Sequence, residues 1–396
     1  MDFSFSEEEK MFQTMARDFV TKEVAPLAAE WDEKGWQHHE FPFDVIKKMA
    51  DVGICAAPLP KEYGGRGEGG ELSEVTLDIA TEELSRGSGG LGVVYLVGWG
   101  IGIDPIFRNG AEEQKAKYGQ RNAKGEIAMF GLTEPSGGSD VARIETRYTR
   151  QGDYYVLNGS KNFITNGAEA DFGTVYAISD EYLKANPDPS KRYRGITAFI
   201  VEKDTPGYSV GRLERKMGVH PSSTAELHFE DCKLPAGNLL GQEGKGFRLA
   251  IESIDASRCS VAIQGVGIAE AAFDVAVEYT KEREAFGKKL AEHEGIQFMI
   301  ADMATDIEAA RLLIYYAAWL KDTRQPYFKE SAMGKLLGTE AAHRVCHKAV
   351  QIFGGYGYME DFAVNRFYRD QRITEIYEGT SEMQRWTISR LITGMK

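Results

Sequence analysis

The residue that the sequence singles out for chemistry is Glu378, in the segment Tyr377-Glu-Gly-Thr380. We expect the final helix to begin near Ser381, so Glu378 lies at the turn before it. A carboxylate at such a turn, beside an aromatic residue, can project into an apolar cleft, where burial raises its pKa and makes it a stronger base. A glutamate near a helix N-terminus is also a common structural arrangement, and this residue alone does not decide between the two.

Two earlier segments are suited to holding a flat or anionic ligand. In 130–140, an apolar run breaks at Pro135 into a turn of small residues that offers backbone N–H groups and hydroxyls. In Lys161–Gly167, Phe163 and Thr165 share one face of a predicted strand, so an aromatic ring and a hydroxyl lie side by side. Taken singly, each segment is equally compatible with a plain turn or with strand packing.

A third segment, Gln351–Tyr358, contains three glycines that break a predicted helix. Glycine lacks a side chain and accepts backbone conformations that other residues avoid, so the chain can approach a ligand closely there.

Two other patterns do not carry the chemistry they suggest. Gly87–Gly92 matches the dinucleotide-binding spacing, but it follows a predicted helix rather than a strand. His343 and His347 are four residues apart, as metal ligands on a helix can be, but no glutamate follows the first histidine and no third ligand lies nearby. We expect no metal site.

Composition narrows the function further. A formal net charge of −13 argues against a nucleic-acid partner or an anionic membrane surface. No uninterrupted apolar run approaches the ~18 residues that span a bilayer, so we expect no membrane segment. The four cysteines lie far apart, which disfavours a disulfide framework. The N-terminus lacks the order of a signal peptide, and the cytoplasm is the expected location, with a mature organelle protein as the alternative.

Periodicity divides the chain into three domains. Residues 1–123 show helical spacing, 124–240 show alternating and β-branched runs typical of strands, and 241–396 return to long helical periods. The predicted fold class is mainly α with an inserted β domain (α+β): an N-terminal helical domain, a central β-barrel domain and a C-terminal four-helix bundle.

Together and in this order, the segments resemble the acyl-CoA dehydrogenase family along the whole chain. The resemblance is carried by Gly131–Asp140, Arg283–Gly287, Ile296–Asp302, Gln351–Tyr358 and Tyr377–Thr380. It implies an FAD-dependent enzyme, usually a homotetramer built from two dimers. The residues that it implies at the cofactor are Phe130, Leu132, Thr133, Ser139, Phe163, Thr165, Arg283, Phe286, Gln297, Gln351, Gly354, Gly355, Thr380 and Glu382.

The resemblance also implies the reaction. Glu378 removes the α proton of an acyl-CoA thioester while a hydride leaves the β carbon for flavin N5, which gives a 2-enoyl-CoA. Electrons then pass to an electron-transfer flavoprotein. The residues expected at the substrate are Ser139, Tyr95, Trp99, Asp255, Arg258, Tyr377 and Gly379, of which Tyr95 and Trp99 belong to the apolar stretch Gly92–Gly100.

Three positions depart from the family pattern or bear on its variants. Phe163 stands where the family often has tryptophan, and His220 where arginine is frequent. Ser257 occupies the place of the alternative base of some branches, which favours Glu378 as the sole base. Two alternatives remain: an acyl-CoA oxidase that uses O2, and a non-catalytic acyl-CoA-binding or scaffold protein that kept the fold.

Overall fold

The computed structural model describes residues 4–38 and 40–395. Residues 1–3 of the expected first domain and residue 396 of the expected third domain lie outside the described residues. Thirteen α-helices are found in the described residues: α1 (Glu7–Phe19), α2 (Ala28–His38), α3 (Phe43–Asp51), α4 (Glu74–Gly87), α5 (Gly89–Tyr95), α6 (Asp104–Asn109), α7 (Glu112–Ala123), α8 (Asp180–Ala185), α9 (Gly246–Glu282), α10 (Glu294–Asp322), α11 (Phe328–Phe353), α12 (Ala363–Gln371) and α13 (Ser381–Thr393).

The strands lie almost entirely between α7 and α9. They are β1 (Ala128–Gly131), β2 (Arg147–Gln151), β3 (Tyr154–Thr165), β4 (Phe172–Ser179), β5 (Ile196–Glu202), β6 (Tyr208–Leu213), β7 (Thr224–Pro235) and β8 (Leu239–Leu240), with the short hairpin β9 (Glu284–Ala285) and β10 (Lys288–Lys289) after α9. This order of helices, strands and helices confirms the predicted fold class.

Local signals in the sequence account for several helix starts. Ser6 accepts a hydrogen bond from the backbone N–H of Glu9, whose side chain accepts one from the N–H of Ser6. The two residues form a capping box, the arrangement that Ser and Glu three positions apart favour at a helix start. Ser73 caps α4 in the same way by accepting from the N–H of Thr76 at 3.2 Å.

The central sheet has the strand order β6-β7-β3-β2-β4-β5-β8, and β1 pairs in parallel with β4. Among the described strands, the two ends of this order, β6 and β8, do not pair with each other. The segment between α7 and α9 thus forms the expected central β domain, built on one eight-stranded sheet. Strand β4 is buried along nearly its whole length because apolar clusters cover both faces: Phe172, Tyr176 and Ile178 belong to one, and Val175 and Ala177 to the other.

The C-terminal helices pack closely because small residues line their contacts. A Cβ on Gly338 of α11 would come within 3.2 Å of the Ala262 carbonyl oxygen of α9 and within 2.9 Å of Ile314 of α10. Glycine at this position lets the three long helices approach one another around a shared apolar core.

Two helical stretches, Gly89–Asn109 and Gly246–Glu282, have the length and hydropathy of membrane spans, contrary to what the sequence led us to expect. Their most apolar windows are 100% and 72% buried within the protein. Core helices have the same properties, so length and hydropathy give only weak support for a membrane span here.

An ion cluster joins the three parts of the chain at His220. Its Nδ1 lies 2.8 Å from Asp32 Oδ1 in α2, and Arg369 in α12 pairs with the same carboxylate. Hydrogen bonds from His220 and Arg369 hold the pKa of Asp32 at about 2, against the effect of burial. Histidine thus fills the position where the family frequently has arginine and forms a contact between domains.

The end of α10 fixes the start of α4. The Asp322 carboxylate accepts hydrogen bonds from the backbone N–H of Glu74 at 2.7 Å and of Val75 at 3.1 Å, while Lys321 pairs with the Glu74 carboxylate at 2.9 Å. Since the free N–H groups at a helix start need acceptors, this contact holds the N-terminal helices against the C-terminal ones.

We predict that Asp322→Ala lowers the free energy of unfolding by about 1–3 kcal/mol, because it leaves the buried N–H groups of α4 without acceptors. The change is measured by urea unfolding of the cofactor-loaded protein. Asp302→Ala is the matched control on the same helix, because it removes only an exposed pair with Lys348, which we expect to contribute at most about 1 kcal/mol. Equal stability of the two variants would contradict the prediction.

Candidate active site

Glu378 lies in a tight turn between α12 and α13. Its backbone is left-handed, with φ of 51°, and Gly379 follows with φ of 87°. A left-handed non-glycine residue is uncommon and requires support from its surroundings. Thr380 ends the turn by capping α13, where its hydroxyl accepts a hydrogen bond from the N–H of Met383 at 3.3 Å.

Two side chains hold this turn from opposite sides. Gln384 of α13 donates from Nε2 to the carbonyl oxygens of Gly379 at 2.8 Å and of Glu378 at 3.3 Å. Lys335 of α11 donates from Nζ to the carbonyl oxygen of Gly379 at 2.8 Å. The backbone of the turn is thereby fixed, and the direction of the Glu378 side chain with it.

Glu378 is half-buried, and this partial loss of solvent raises the pKa of its carboxylate. Three groups act in the opposite direction. The Ser257 hydroxyl of α9 donates a hydrogen bond to Glu378 Oε2 at 3.1 Å, and the charges of Lys335 and Arg258 favour the ionised form. Ser257, at the position of the alternative base in some branches of the family, thus acts on Glu378 as a hydrogen-bond donor.

An apolar wall includes close neighbours of this carboxylate: Tyr377, which precedes Glu378, and residues on the Ser257 face of α9. On α9, Ile254 and Val261 lie on the same helical face as Ser257, at spacings of three and four residues. They pack with residues of α5, of the π-helical turn that follows it (Leu96–Ile101) and of neighbouring segments. The members of the wall are Val93, Leu96, Val97, Ile101, Phe130, Val219, Ile254, Val261, Ile373 and Tyr377.

The structure does not bring Tyr95 and Trp99 to this wall. Both are 0% exposed in the N-terminal core, where their rings stack at 5.5 Å. The Tyr95 hydroxyl donates to the Ile54 carbonyl at 3.0 Å, and the Trp99 indole N–H donates to the Asn122 carbonyl at 2.9 Å. They lie on the opposite side of the segment from the residues that reach the wall.

A cavity of about 330 Å³ adjoins the wall. Phe163 and Thr165 both line it, as their shared strand face predicted. Three apolar side chains on its border are unusually exposed: Phe163 at 59%, Met217 at 54% and Ile376 at 47%. A flat heteroaromatic ligand would cover this apolar surface.

The two segments beside this cavity are joined by a buried ion pair. Lys161 Nζ lies 2.5 Å from Glu134 Oε1 and 3.3 Å from the Leu132 carbonyl oxygen, and neither charged side chain is more than 3% exposed. The N–H of Asn162 adds a hydrogen bond to the Thr133 carbonyl at 2.9 Å. These contacts fix the register of segment 130–140 against the strand that bears Phe163 and Thr165.

Of the other residues predicted near the cofactor in this part of the chain, two pack into the protein and one is exposed. Phe130 packs against Tyr176, and Leu132 is buried beneath the turn. Ser139 is exposed at the turn itself.

A second cavity, of about 490 Å³, lies on the C-terminal helices and shares no lining residue with the first. Arg283, Gly354 and Gly355 line it, beside the stacked rings of Tyr279 and Phe353 at 4.0 Å. The structure brings these predicted cofactor residues together, but away from Glu378 of the same chain.

Four further predicted residues are exposed outside the linings of these two cavities. They are Phe286 (98% exposed), Gln297, Gln351 and Glu382. Gln297 donates to the Ala291 carbonyl at 2.9 Å, and Glu382 lies in the first turn of α13.

Arg258 and Asp255, predicted near the CoA portion, form an ion pair of 2.7 Å on α9 next to Ser257. Both side chains are largely buried, and burial raises the pKa of Asp255. The pair is thus adjacent to the position of the Glu378 carboxylate.

Family models match almost the whole chain. The N-terminal, middle and C-terminal domain models of acyl-CoA dehydrogenases match residues 6–126, 129–232 and 244–393. The chain belongs to the acyl-CoA dehydrogenase family. It is accordingly an oxidoreductase that depends on FAD.

Two named relatives match this dehydrogenase over nearly the whole length of both chains. An acryloyl-CoA reductase (NADH) of Anaerotignum propionicum is 46% identical over 98% of this chain and 95% of its own length. A short-chain specific acyl-CoA dehydrogenase of Clostridium acetobutylicum is 45% identical, covering 98% and 99%.

Two solved structures are similarly close to the acyl-CoA dehydrogenase described here. Butyryl-CoA dehydrogenase from Megasphaera elsdenii has a TM-score of 0.93 and 42% identity, covering 99% of this chain and 100% of its own. A chain in a structure described as the electron transferring flavoprotein of Acidaminococcus fermentans has a TM-score of 0.93 and 45% identity, with 99% of each chain covered.

The residues of this acyl-CoA dehydrogenase fit a flavin. The cavity beside Phe163 offers exposed apolar surface of the kind that a ring system covers, and the hydroxyl of Thr165 stands at its edge. The second cavity offers the Arg283 guanidinium and a glycine pair, a combination suited to a phosphate-containing group. The chemistry that FAD supplies when bound is acceptance of a hydride.

We predict that Phe163→Ala weakens FAD retention about tenfold, because it removes an aromatic surface exposed in the cavity. The measurement is the flavin content after dialysis and the Kd for added FAD. Tyr154→Ala is the control, since it removes an aromatic side chain of similar exposure at the other end of β3. Unchanged FAD affinity in Phe163→Ala would contradict the assignment of this cavity.

Proposed function

We propose that this protein removes the α and β hydrogens of a short, neutral acyl-CoA thioester, with Glu378 as the base. The observation that carries the proposal is the Glu378 carboxylate itself: it is half-buried, accepts a hydrogen bond from Ser257 and follows Tyr377, a member of the apolar wall. A carboxylate in that setting has a pKa above its usual range and can accept a carbon-bound proton once the substrate excludes water.

Each neighbouring group has a distinct part in this proposal. Ser257 orients the Glu378 carboxylate through one oxygen and leaves the other for the α proton. The backbone N–H of Glu378 polarises the thioester carbonyl and stabilises the negative charge that develops on its oxygen. Phe163 and Thr165 position FAD, while Arg258, paired with Asp255, lies where the CoA portion enters.

The proposed acyl group is short and uncharged. Branched apolar side chains from α5, its π-helical turn and α9 pack together beside Glu378, and none of these wall residues is charged. A distal carboxylate on the substrate would be desolvated there without a partner. The relatives named for short-chain and butyryl-CoA substrates support the same choice.

We further propose that the enzyme passes its electrons to an electron-transfer flavoprotein and works as a homotetramer in the cytoplasm or an organelle matrix. The solved structure described as an electron transferring flavoprotein supports the first part. Support for assembly comes from α10, where four large apolar side chains are at least 44% exposed: Phe298, Leu312, Tyr316 and Trp319. Leu312, Tyr316 and Trp319 are spaced by four and three residues, so they share one face of α10, and an exposed apolar face of this kind is typical of an interaction surface.

A second candidate is the reverse reaction, reduction of a short 2-enoyl-CoA. It is favoured by the 46% identical relative named acryloyl-CoA reductase (NADH). The same base would then deliver the proton to the α carbon. Oxidation of NADH on addition of acryloyl-CoA to the protein together with an electron-transfer flavoprotein distinguishes this direction. Rapid peroxide formation in air would instead identify an acyl-CoA oxidase.

We predict that anaerobic butyryl-CoA bleaches the flavin absorbance of the wild-type protein, and that Glu378→Gln retains FAD and binds the thioester but loses at least about 1,000-fold in reduction rate, since no carboxylate is left to take the proton. Stopped-flow absorbance at the flavin band measures both. The control is Glu360→Gln, which changes an exposed glutamate in the loop before α12; the flavin of this variant should be reduced at the normal rate.

Three outcomes would contradict the proposal. Failure of every acyl-CoA in a panel of chain lengths to bleach the flavin would remove the dehydrogenase reaction. A normal reduction rate in Glu378→Gln would show that another base acts. A colourless pure protein that cannot bind added FAD would favour a non-catalytic binding protein.

A further inference from the structure

Lys335 is an unusual lysine. Among the described residues, three lysines are at least 94% buried, namely Lys161, Lys321 and Lys335. The first two form ion pairs with Glu134 and Glu74, as a buried ammonium normally requires. Lys335 is 0% exposed, yet its recorded partner is an uncharged group, the carbonyl oxygen of Gly379.

That carbonyl belongs to the turn that carries Glu378. Without external support, consecutive left-handed residues at 378 and 379 would relax to more common backbone conformations. Lys335 reaches the turn from α11, and Gln384 reaches the same carbonyl oxygen from α13, each at 2.8 Å. A donor on each side thus restrains the peptide next to the base.

The charge of Lys335 acts on Glu378 without touching its carboxylate. No carboxylate oxygen lies within 4.0 Å of the ammonium in the part of the chain that the structure describes, and the link runs through one peptide group. A direct salt bridge would occupy the oxygen that must receive the α proton. A positive charge one peptide away favours the ionised carboxylate and leaves that oxygen free.

The groups around the pair come from four elements. Ser257 and Arg258 of α9 and Lys335 of α11 favour ionised Glu378, against burial. Burial lowers the pKa of Lys335, Glu378 is the first of the groups that raise it, and Arg258 lowers it; the net pKa is about 8. Glu375, in the 3-10 turn before Glu378, and Glu382 of α13 act on Lys335 in the same direction.

We propose that Lys335 is a positioning residue that holds the Glu378 turn in its left-handed conformation and keeps the Glu378 carboxylate ionised beside Ser257. The inference rests on the proposed function, in which Glu378 is the base. Lys335 itself touches neither substrate nor cofactor. Its two contributions, a hydrogen bond and a charge, are separable by substitution.

The test compares Lys335→Gln, which keeps a donor but loses the charge, with Lys335→Met, which loses both. The rate of anaerobic flavin reduction by butyryl-CoA is measured as a function of pH. Reduction falls as the pH drops through the pKa of Glu378, because the protonated carboxyl cannot take the α proton. Removing a nearby positive charge raises that pKa, so we expect this acid limb to move up by about one pH unit in both variants.

The two variants should differ at their pH optimum. Lys335→Gln still donates to the Gly379 carbonyl, and we expect its optimal rate to stay within about threefold of the wild type. Lys335→Met leaves the turn restrained from one side only, and we expect its rate to fall about tenfold or more. Both should retain FAD.

Lys321→Met is the matched control. It removes a lysine equally buried but paired with Glu74 in α4, so it should lower stability and leave the acid limb unmoved. The proposal would be overturned if the acid limb of Lys335→Gln lay within about 0.2 pH units of that of the wild type. It would also be overturned if this variant failed to fold or to hold FAD, because the lysine would then be purely structural. Failure of the proposed function itself is distinct, because it shows as an unbleached wild-type flavin or an active Glu378→Gln.

Discussion

The site depends on one constraint: a carboxylate must stay ionised in surroundings that favour its neutral form. Burial makes Glu378 a stronger base, but the same burial would leave it protonated and inactive if nothing opposed it. The hydrogen bond from Ser257 and the charges on α9 and α11 oppose it without filling both carboxylate oxygens. Three helices contribute to this balance: α9 carries Ser257, α11 carries Lys335, and α13 carries Gln384, which fixes the turn.

Each of the three parts of the chain contributes different residues to the same site. The C-terminal helices hold the base, and the helices before the sheet supply the apolar wall through Val93 and Leu96. The sheet supplies the ring and hydroxyl of the cofactor cavity. These contributions keep their geometry because charged contacts join the parts: Asp322 and Lys321 hold α4, and Asp32 links His220 with Arg369.

Much of this was readable from the sequence because the signals were local. The Ser6 capping box, the start of α4 at Ser73 and the shared face of Phe163 and Thr165 each depend on a few consecutive residues. So does the turn at Glu378, where a glycine follows the glutamate and Thr380 caps the next helix.

What the sequence did not reveal depends on tertiary contacts. Tyr95 and Trp99 were expected at the substrate, but the segment turns them into the core and presents Val93, Leu96 and Val97 instead. The π-helical turn with non-helical backbone at Gly100 changes the facing of residues there, which a regular helical period cannot anticipate. Lys335 lies 44 residues from Gly379, so no local pattern joins them.

The most direct measurement of the central claim is exchange of α hydrogen with solvent, separate from any oxidation. Acetyl-CoA has an α carbon but no β carbon, so it cannot be dehydrogenated, and deuterium uptake from D2O, followed by mass spectrometry, reports proton removal alone. The account predicts uptake catalysed by the FAD-loaded wild-type protein and uptake at the background rate with Glu378→Gln. Equal, catalysed uptake by both proteins would contradict the assignment of Glu378 as the base.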